Sequence, residues 1–203
     1  MTRFLRTLLL GLSLLAWAVP ASLAAPIGLD AISSYLGGIV AAEGRFTQFN
    51  ADGSVDRGRI FIQRPGRIRF EYDPPSDALV IAGGGQVAIF DPKSNTPPQQ
   101  FPLARTPLSI ILDRKVDLAA TGMVQRVYEE AGRTVVLARD PKAPERGAIA
   151  LYFARDPVRL VGWEIQDEAG GVTRVVLDEL QPVERLSSFL FNIPYEVERR
   201  GLN

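Results

Sequence analysis

The chain has 203 residues with 23 basic and 23 acidic side chains, and it contains no cysteine and no histidine. That balance argues against a nucleic-acid or anionic-membrane partner. The missing residue types exclude disulfides, thiol acylation and redox work, Ser-His-Asp catalysis and histidine-built zinc sites, so no metal, cofactor or enzymatic activity is expected.

Residues 1–24 combine Arg3 and Arg6, an apolar run from Thr7 to Val19, and small residues at Ser22 and Ala24. This is the layout of a secretory signal peptide, and the run is shorter than the roughly 20 residues a membrane span needs. Cleavage after Ala24 is expected. It leaves residues 25–203 with two more acidic than basic side chains, a length that suits one exported domain with a sizeable core and no lipid anchor.

Leu29, Ile32, Leu36, Ile39 and Val40 recur at helical spacing, which predicts an amphipathic helix over about 28–42, weakened by Gly37-Gly38. From Gly44 the apolar period changes to two. GRFTQF, RGRIFIQ, RIRFEY, ALVIA, QVAIF, MVQRVYEE, TVVLAR, AIALYF, LVGWEIQ, VTRVVLDEL and FLFNI read as eleven short strands. Turn signals at Asp52-Gly53, Pro65-Gly66, Gly83-Gly84-Gly85, Ala131-Gly132 and Gly170-Gly171 are spaced for hairpins, so the sheet should be antiparallel.

One interruption stands out. A proline-rich loop after Asp91 runs into a short helix over 107–113, with Thr106 as its expected N-cap and Pro107 at its first position. Leu108, Ile110, Ile111 and Leu112 make it apolar nearly all round, so it needs cover on several sides. The expected fold is mainly β (α+β): one curved antiparallel sheet, a closed barrel or an open one plugged by helices on its concave face. Either way the interior is apolar.

In the stretch RIFIQRPGRIRFEY, Ile60, Ile62 and Arg64 share a strand face. A two-residue turn at Pro65-Gly66 would oppose Arg64 to Arg67 and Ile62 to Arg69. A three-residue loop over 65–67 instead pairs Ile62 with Phe70, Ile60 with Tyr72 and Arg64 with Ile68. One face then carries Ile60, Ile62, Ile68 and Phe70, with Arg64 at its end. There it either snorkels to solvent or donates across the cavity mouth to the free carbonyls of a covering helix. In the next hairpin both faces are apolar, Val80 and Phe90 on one and Leu79, Ile81, Val87 and Ile89 on the other.

The leader, the first helix running into GRFTQ, the element IFIQRPGRIRFEYDPP, the hairpin LVIAGGGQVAIFDP, the TPLSIIL helix, the WEIQDEAGGVTRVVL hairpin and the ending FLFNIP together resemble the LolA family of periplasmic outer-membrane lipoprotein carriers. The resemblance covers nearly the whole mature chain. The loop from Asp91 to Pro107 and the tail YEVERRGLN are less like the family. It implies an unclosed β-barrel of about eleven strands under a helical lid, formed by the helices near 28–42 and 107–113.

The implied role is a monomeric periplasmic carrier whose cavity takes lipoprotein acyl chains from an inner-membrane ABC transporter and gives them to an outer-membrane receptor or membrane. That receptor is itself a lipoprotein of similar fold, and the absence of cysteine here favours the soluble carrier. By the same resemblance Arg64 latches the empty lid, Ile68 stands near the mouth, and Val80 and Phe90 line the cavity with Ile60, Ile62 and Phe70.

Two other readings compete. Gly83-Gly84-Gly85 superficially matches an oxyanion loop, but without GxSxG or histidine it is better read as a turn. A lipid- or lipoprotein-binding envelope sensor of the same fold is the second, though such regulators usually add a further domain. No GxxxxGK[ST] loop is present, so energy for loading must come from the donor.

Overall fold

The computed structural model describes residues 25–202 apart from Thr121 and Glu168. The expected signal peptide at 1–24 lies outside the described residues. Helix α1 (Leu29–Gly38) leads into strands β1 (Ala41–Phe49), β2 (Val55–Gln63), β3 (Arg67–Tyr72), β4 (Leu79–Gly83), β5 (Gln86–Phe90) and β6 (Gln99–Pro102). A segment carrying the short helix α2 (Ser109–Leu112) crosses to β7 (Val124–Glu130), β8 (Arg133–Ala138), β9 (Ala148–Ala154), β10 (Arg159–Gln166) and β11 (Val172–Pro182). Helix α3 (Ile193–Arg199) is the last element among the described residues. Among the described residues the eleven strands form one sheet in the order β6-β5-β4-β3-β2-β1-β11-β10-β9-β8-β7. Every neighbouring pair is antiparallel, and the first and last strands of the meander meet as β1 and β11. The outermost strands β6 and β7 do not pair, so the barrel is unclosed.

Alternation along each strand sends one set of apolar side chains inward. Ile60, Ile62, Ile68, Phe70, Leu151, Phe153, Trp163, Val175 and Leu177 join one buried cluster with Ile32 and Leu36 of α1 and with Leu108, Ile111, Leu112, Val116 and Leu118 of the crossing segment. Each fully buried large side chain contributes about 1.5–3 kcal/mol relative to exposure. Phe46 meets Phe70 and Tyr72 edge to face, with centroids 5.3 and 5.1 Å apart. Room for its ring exists because Gly58 is its partner across the ladder. A Cβ at Gly58 would lie 2.9 Å from Phe46 Cε1 and closer still to the Glu71 carbonyl oxygen. Gly58→Ala is therefore expected to lower stability by about 3 kcal/mol, as overpacking against backbone does, read as a lower urea midpoint with an unchanged slope.

Several sequence expectations are corrected. Helix α1 stops at Gly38 instead of 42, and β1 starts at Ala41 instead of Gly44. After the two glycines the ladder outcompetes the helical period: Val40 O accepts the Arg64 amide, and Ala41 and Ala42 pair with Gln63 and Ile62. Thr106 does not cap α2; its amide closes a short 3₁₀ turn onto Leu103 O at 2.9 Å, and its hydroxyl donates to the same carbonyl at 2.8 Å. The count of eleven strands stands, but with different members. FLFNI is not a strand: Ser188–Phe191 forms a 3₁₀ helix, and Asn192 then caps α3 by accepting the Tyr195 amide at 2.9 Å. The eleventh strand is the exposed β6, which lacks apolar alternation and forms because Phe101 and its neighbours extend the ladder from Val87.

The C-terminal segment covers the convex face of the first half of the sheet. Ile193 packs on Leu79, Ile81, Ala88 and Phe90, while Leu186 and Phe191 pack on Ala41 and Phe61.

Candidate functional site

The β2–β3 loop holds the cover in place. It contains three residues, so the parity argument puts Ile60, Ile62, Ile68 and Phe70 on one inner face. The loop is, however, Arg64–Gly66, one position earlier than expected. Ile62 pairs with Ile68, Ile60 with Phe70, and Gly58 with Tyr72. Arg64 leaves the β2–β3 ladder because its amide goes to Val40 O (2.9 Å) and the Gly66 amide goes to Leu112 O (2.8 Å).

The Arg64 side chain bridges two elements. Nη1 donates to Leu36 O at the end of α1. Nη2 donates to Asp113 O at 2.6 Å and reaches Arg114 O at 3.5 Å, just past α2. Leu36 O, which also accepts the Ile39 amide at 3.3 Å, stands in the last turn of α1, where the backbone dipoles favour a cation; Asp113 O and Arg114 O belong to the chain leaving α2. Burial lowers the guanidinium pKa and the Asp113 charge opposes that; an arginine stays charged throughout. A further tie joins α1 to the crossing segment, the Leu118 amide donating to Ser33 Oγ at 3.1 Å.

Beneath this junction lies the apolar interior. Ile60, Ile62, Ile68 and Phe70 are buried there, and Val80 is half-buried against them. Leu108, Ile111 and Leu112 of the cover occupy the same interior, with half-buried Ile110 packed against it. Phe90 is a correction. The glycine hairpin has a two-residue loop, Gly84-Gly85, both at positive φ (58° and 80°), so Phe90 pairs with Leu79 and Val80 with Ile89. Grouping Val80 with Phe90 requires an odd loop. Phe90 instead lies on the convex face under Ile193, with the Arg200 guanidinium 5.4 Å from its ring centre.

Sequence reasoning did not assign Leu151, Phe153, Trp163 and Leu177 to the interior they help to fill, and it missed the Gly66 amide and Ser33 as ties. Backbone donors leave no side-chain signature. It also missed the ionic cluster beneath α3, where Glu196, 2% exposed, meets Arg69, Arg199 and Arg200. Among the described residues no group of three or more Asp, Glu, His or Cys could hold a metal ion, and no helix is long and apolar enough to cross a membrane.

The sheet and its contents define an unclosed β-barrel with an apolar interior filled by its own cover, which an arginine and a backbone amide fasten at one loop. Residues 38–194 match the family described as Outer membrane lipoprotein carrier protein LolA. This chain belongs to the LolA family. It is 24% identical over 196 residues to the outer-membrane lipoprotein carrier protein of Chromohalobacter salexigens, spanning 88% of this chain and 92% of that one. With the carrier protein of Pseudomonas aeruginosa it shares 26% identity over 213 residues, 97% and 98% of the two chains. A solved LolA superfamily protein from Nitrosomonas europaea superposes with a TM-score of 0.42 at 11% identity, covering 83% of this chain and 99% of that one.

Proposed function

We propose that this protein is a periplasmic carrier that takes lipoprotein acyl chains into its apolar interior, receives them from an inner-membrane ABC transporter and delivers them to the outer membrane. The single observation that carries this reading is the content of the interior: Leu108, Ile111 and Leu112 lie among Ile60, Ile62, Ile68 and Phe70, with hydrogen bonds from Arg64 and the Gly66 amide and onto Ser33 tying their segment to the rest of the fold. An apolar segment held that way has the chemistry to be exchanged for another apolar chain.

Magnitudes favour such an exchange. Each acyl methylene moved out of water is worth about 0.8 kcal/mol, so a long chain gains on the order of 10 kcal/mol on burial. Displacing the cover offsets part of that gain and keeps binding reversible. Arg64 is the latch in this reading, with the Gly66 amide as its backbone counterpart. The experiment is mass spectrometry of the protein purified from the periplasm, followed by transfer of what it carries to outer-membrane vesicles. Acylated proteins are expected in the purified sample and should leave it on transfer; a sample free of acyl chains would overturn the reading.

A further inference from the structure

Strands β10 and β11 pair from Gln166↔Val172 up to Gly162↔Val176, and among the described residues no pair follows. Beyond that point each strand carries an extra residue. Val161 sits between Leu160↔Phe153 and Gly162↔Tyr152 on the β9 side, and Asp178 sits between Leu177↔Phe46 and Glu179↔Arg45 on the β1 side. Two bulges at the same level of neighbouring strands turn them apart, and bulges of this kind bend and retwist the strands that carry them. The result is a groove of about 660 Å³ running from the rim toward the core, bordered by both bulged residues.

The groove has an apolar floor and a polar rim. Leu160 and Leu177, 4% and 5% exposed, belong to the interior cluster, and Tyr35, Ile39, Val158 and Leu180 pack against it. The Tyr35 ring stands edge-on to Phe153 at 6.3 Å and packs against the interior cluster, which makes the tyrosine one wall of the groove. Exposed Ser34, Arg159, Asp178 and Glu179 mark the rim. A second cavity of about 550 Å³ is bordered by the crossing segment and by Gly66 and Gly85, and it shares no lining residue with the first. The groove is therefore present while Arg64 still fastens the cover.

We propose that this groove is a preformed site for one acyl chain of the lipoprotein cargo, occupied on the closed carrier before the cover moves. The inference rests on the carrier reading. Its volume is that of a small-molecule site, its floor is continuous with the interior that the remaining chains would fill, and its rim leaves the polar end of the chain in water. The groove gives cargo a foothold that does not first require the cover's apolar side chains to leave the core.

Because the chain has no cysteine, Ser34→Cys and Ser109→Cys each offer one thiol for an environment-sensitive dye, the first in the groove and the second in the cavity bordered by the crossing segment. The mature protein is mixed in stopped flow with a palmitoylated cysteinyl peptide, with the unacylated peptide as control. The Ser34 probe is expected to respond at least tenfold faster than the Ser109 probe. Val158→Arg, on the half-buried groove wall, should abolish that fast phase at unchanged thermal stability, and Leu180→Gln should weaken it. A Ser109 response that comes first or together with Ser34, a fast phase that survives both variants, or a Ser34 response to the unacylated peptide would each overturn the groove while leaving the carrier reading standing. Silence of both probes would overturn the two together.

Discussion

Glu196→Gln is expected to lower the stability of the folded chain by about 3 kcal/mol, near the low end for removing one partner from a buried ionic cluster. The loss should show as a drop of melting temperature on the order of 6–12 °C. The carboxylate of α3 accepts from Arg200 at 2.7 Å and from Arg199, and it faces Arg69 at 3.5 Å. Arg69, itself 7% exposed, spends its other donors on Glu71 at 2.7 Å and Leu190 O at 3.0 Å. Removing the carboxylate charge leaves Arg69 buried with its charge less compensated, and it loosens the ion pair that ties α3 to β3. Burial by itself would raise the Glu196 pKa; the hydrogen bonds from Arg199 and Arg200 and the charge of Arg69 outweigh it and bring the value down from 4.5 to about 2. A carboxylate whose folded pKa lies below its unfolded one stabilises fully above the unfolded value, and that stability drains as pH falls through the folded value. The parent should therefore lose stability between about pH 4.5 and pH 2, and Glu196→Gln should flatten that part of the profile. Equal melting temperatures at pH 7, or parallel acid limbs, would show that apolar contacts alone dock the C-terminal segment.

The legible part of this molecule was the part written in alternation. Ile60, Ile62, Ile68 and Phe70 repeat every second residue, and the parity of one loop was enough to gather them on one face. Loop position was less legible than parity: Arg64–Gly66 forms the loop because the Arg64 and Gly66 amides bond Val40 and Leu112, partners distant in sequence and invisible in the stretch itself. Phe90 went astray for the opposite reason. Three consecutive glycines supply no side chain to mark where the turn begins, and a shift of one residue moves every following side chain to the other face. Strand β6 carries no pattern because both its faces are exposed. FLFNI has strand-like composition, yet Asn192 with Pro194 two residues later is a helix-start signal that alternation overshadowed. Arg69 and Glu196 are 127 positions apart, so nothing in either neighbourhood announces the pair.

Arg64→Leu is expected to leave the chain folded and to shift the cover of the empty protein toward the open state by roughly 10- to 100-fold. The estimate follows from the loss of hydrogen bonds made by a charged donor, about 1.5–3 kcal/mol, at 1.4 kcal/mol per tenfold. Leucine keeps the bulk of the side-chain stem but cannot reach Leu36 O on one element and Asp113 O on another. The fold should survive, since the Gly66–Leu112 bond, the Ser33–Leu118 bond and the burial of Ile111 and Leu112 remain. Opening removes a competitor for the interior, so the variant should bind acyl chains more tightly than the parent. It should also hand them on poorly, because closing the cover no longer repays what release costs. Hydrogen exchange at the Leu118 amide reads the cover, and transfer of labelled lipoprotein to outer-membrane vesicles reads release. Arg64→Lys separates charge from geometry: a single ammonium carries the charge but cannot present two forked nitrogens to carbonyls of two segments, so it should fall between parent and Arg64→Leu in both measurements. Release at the parental rate from Arg64→Leu, with the Leu118 amide equally protected, would mean that packing alone keeps the cover shut and that Arg64 only lines the rim.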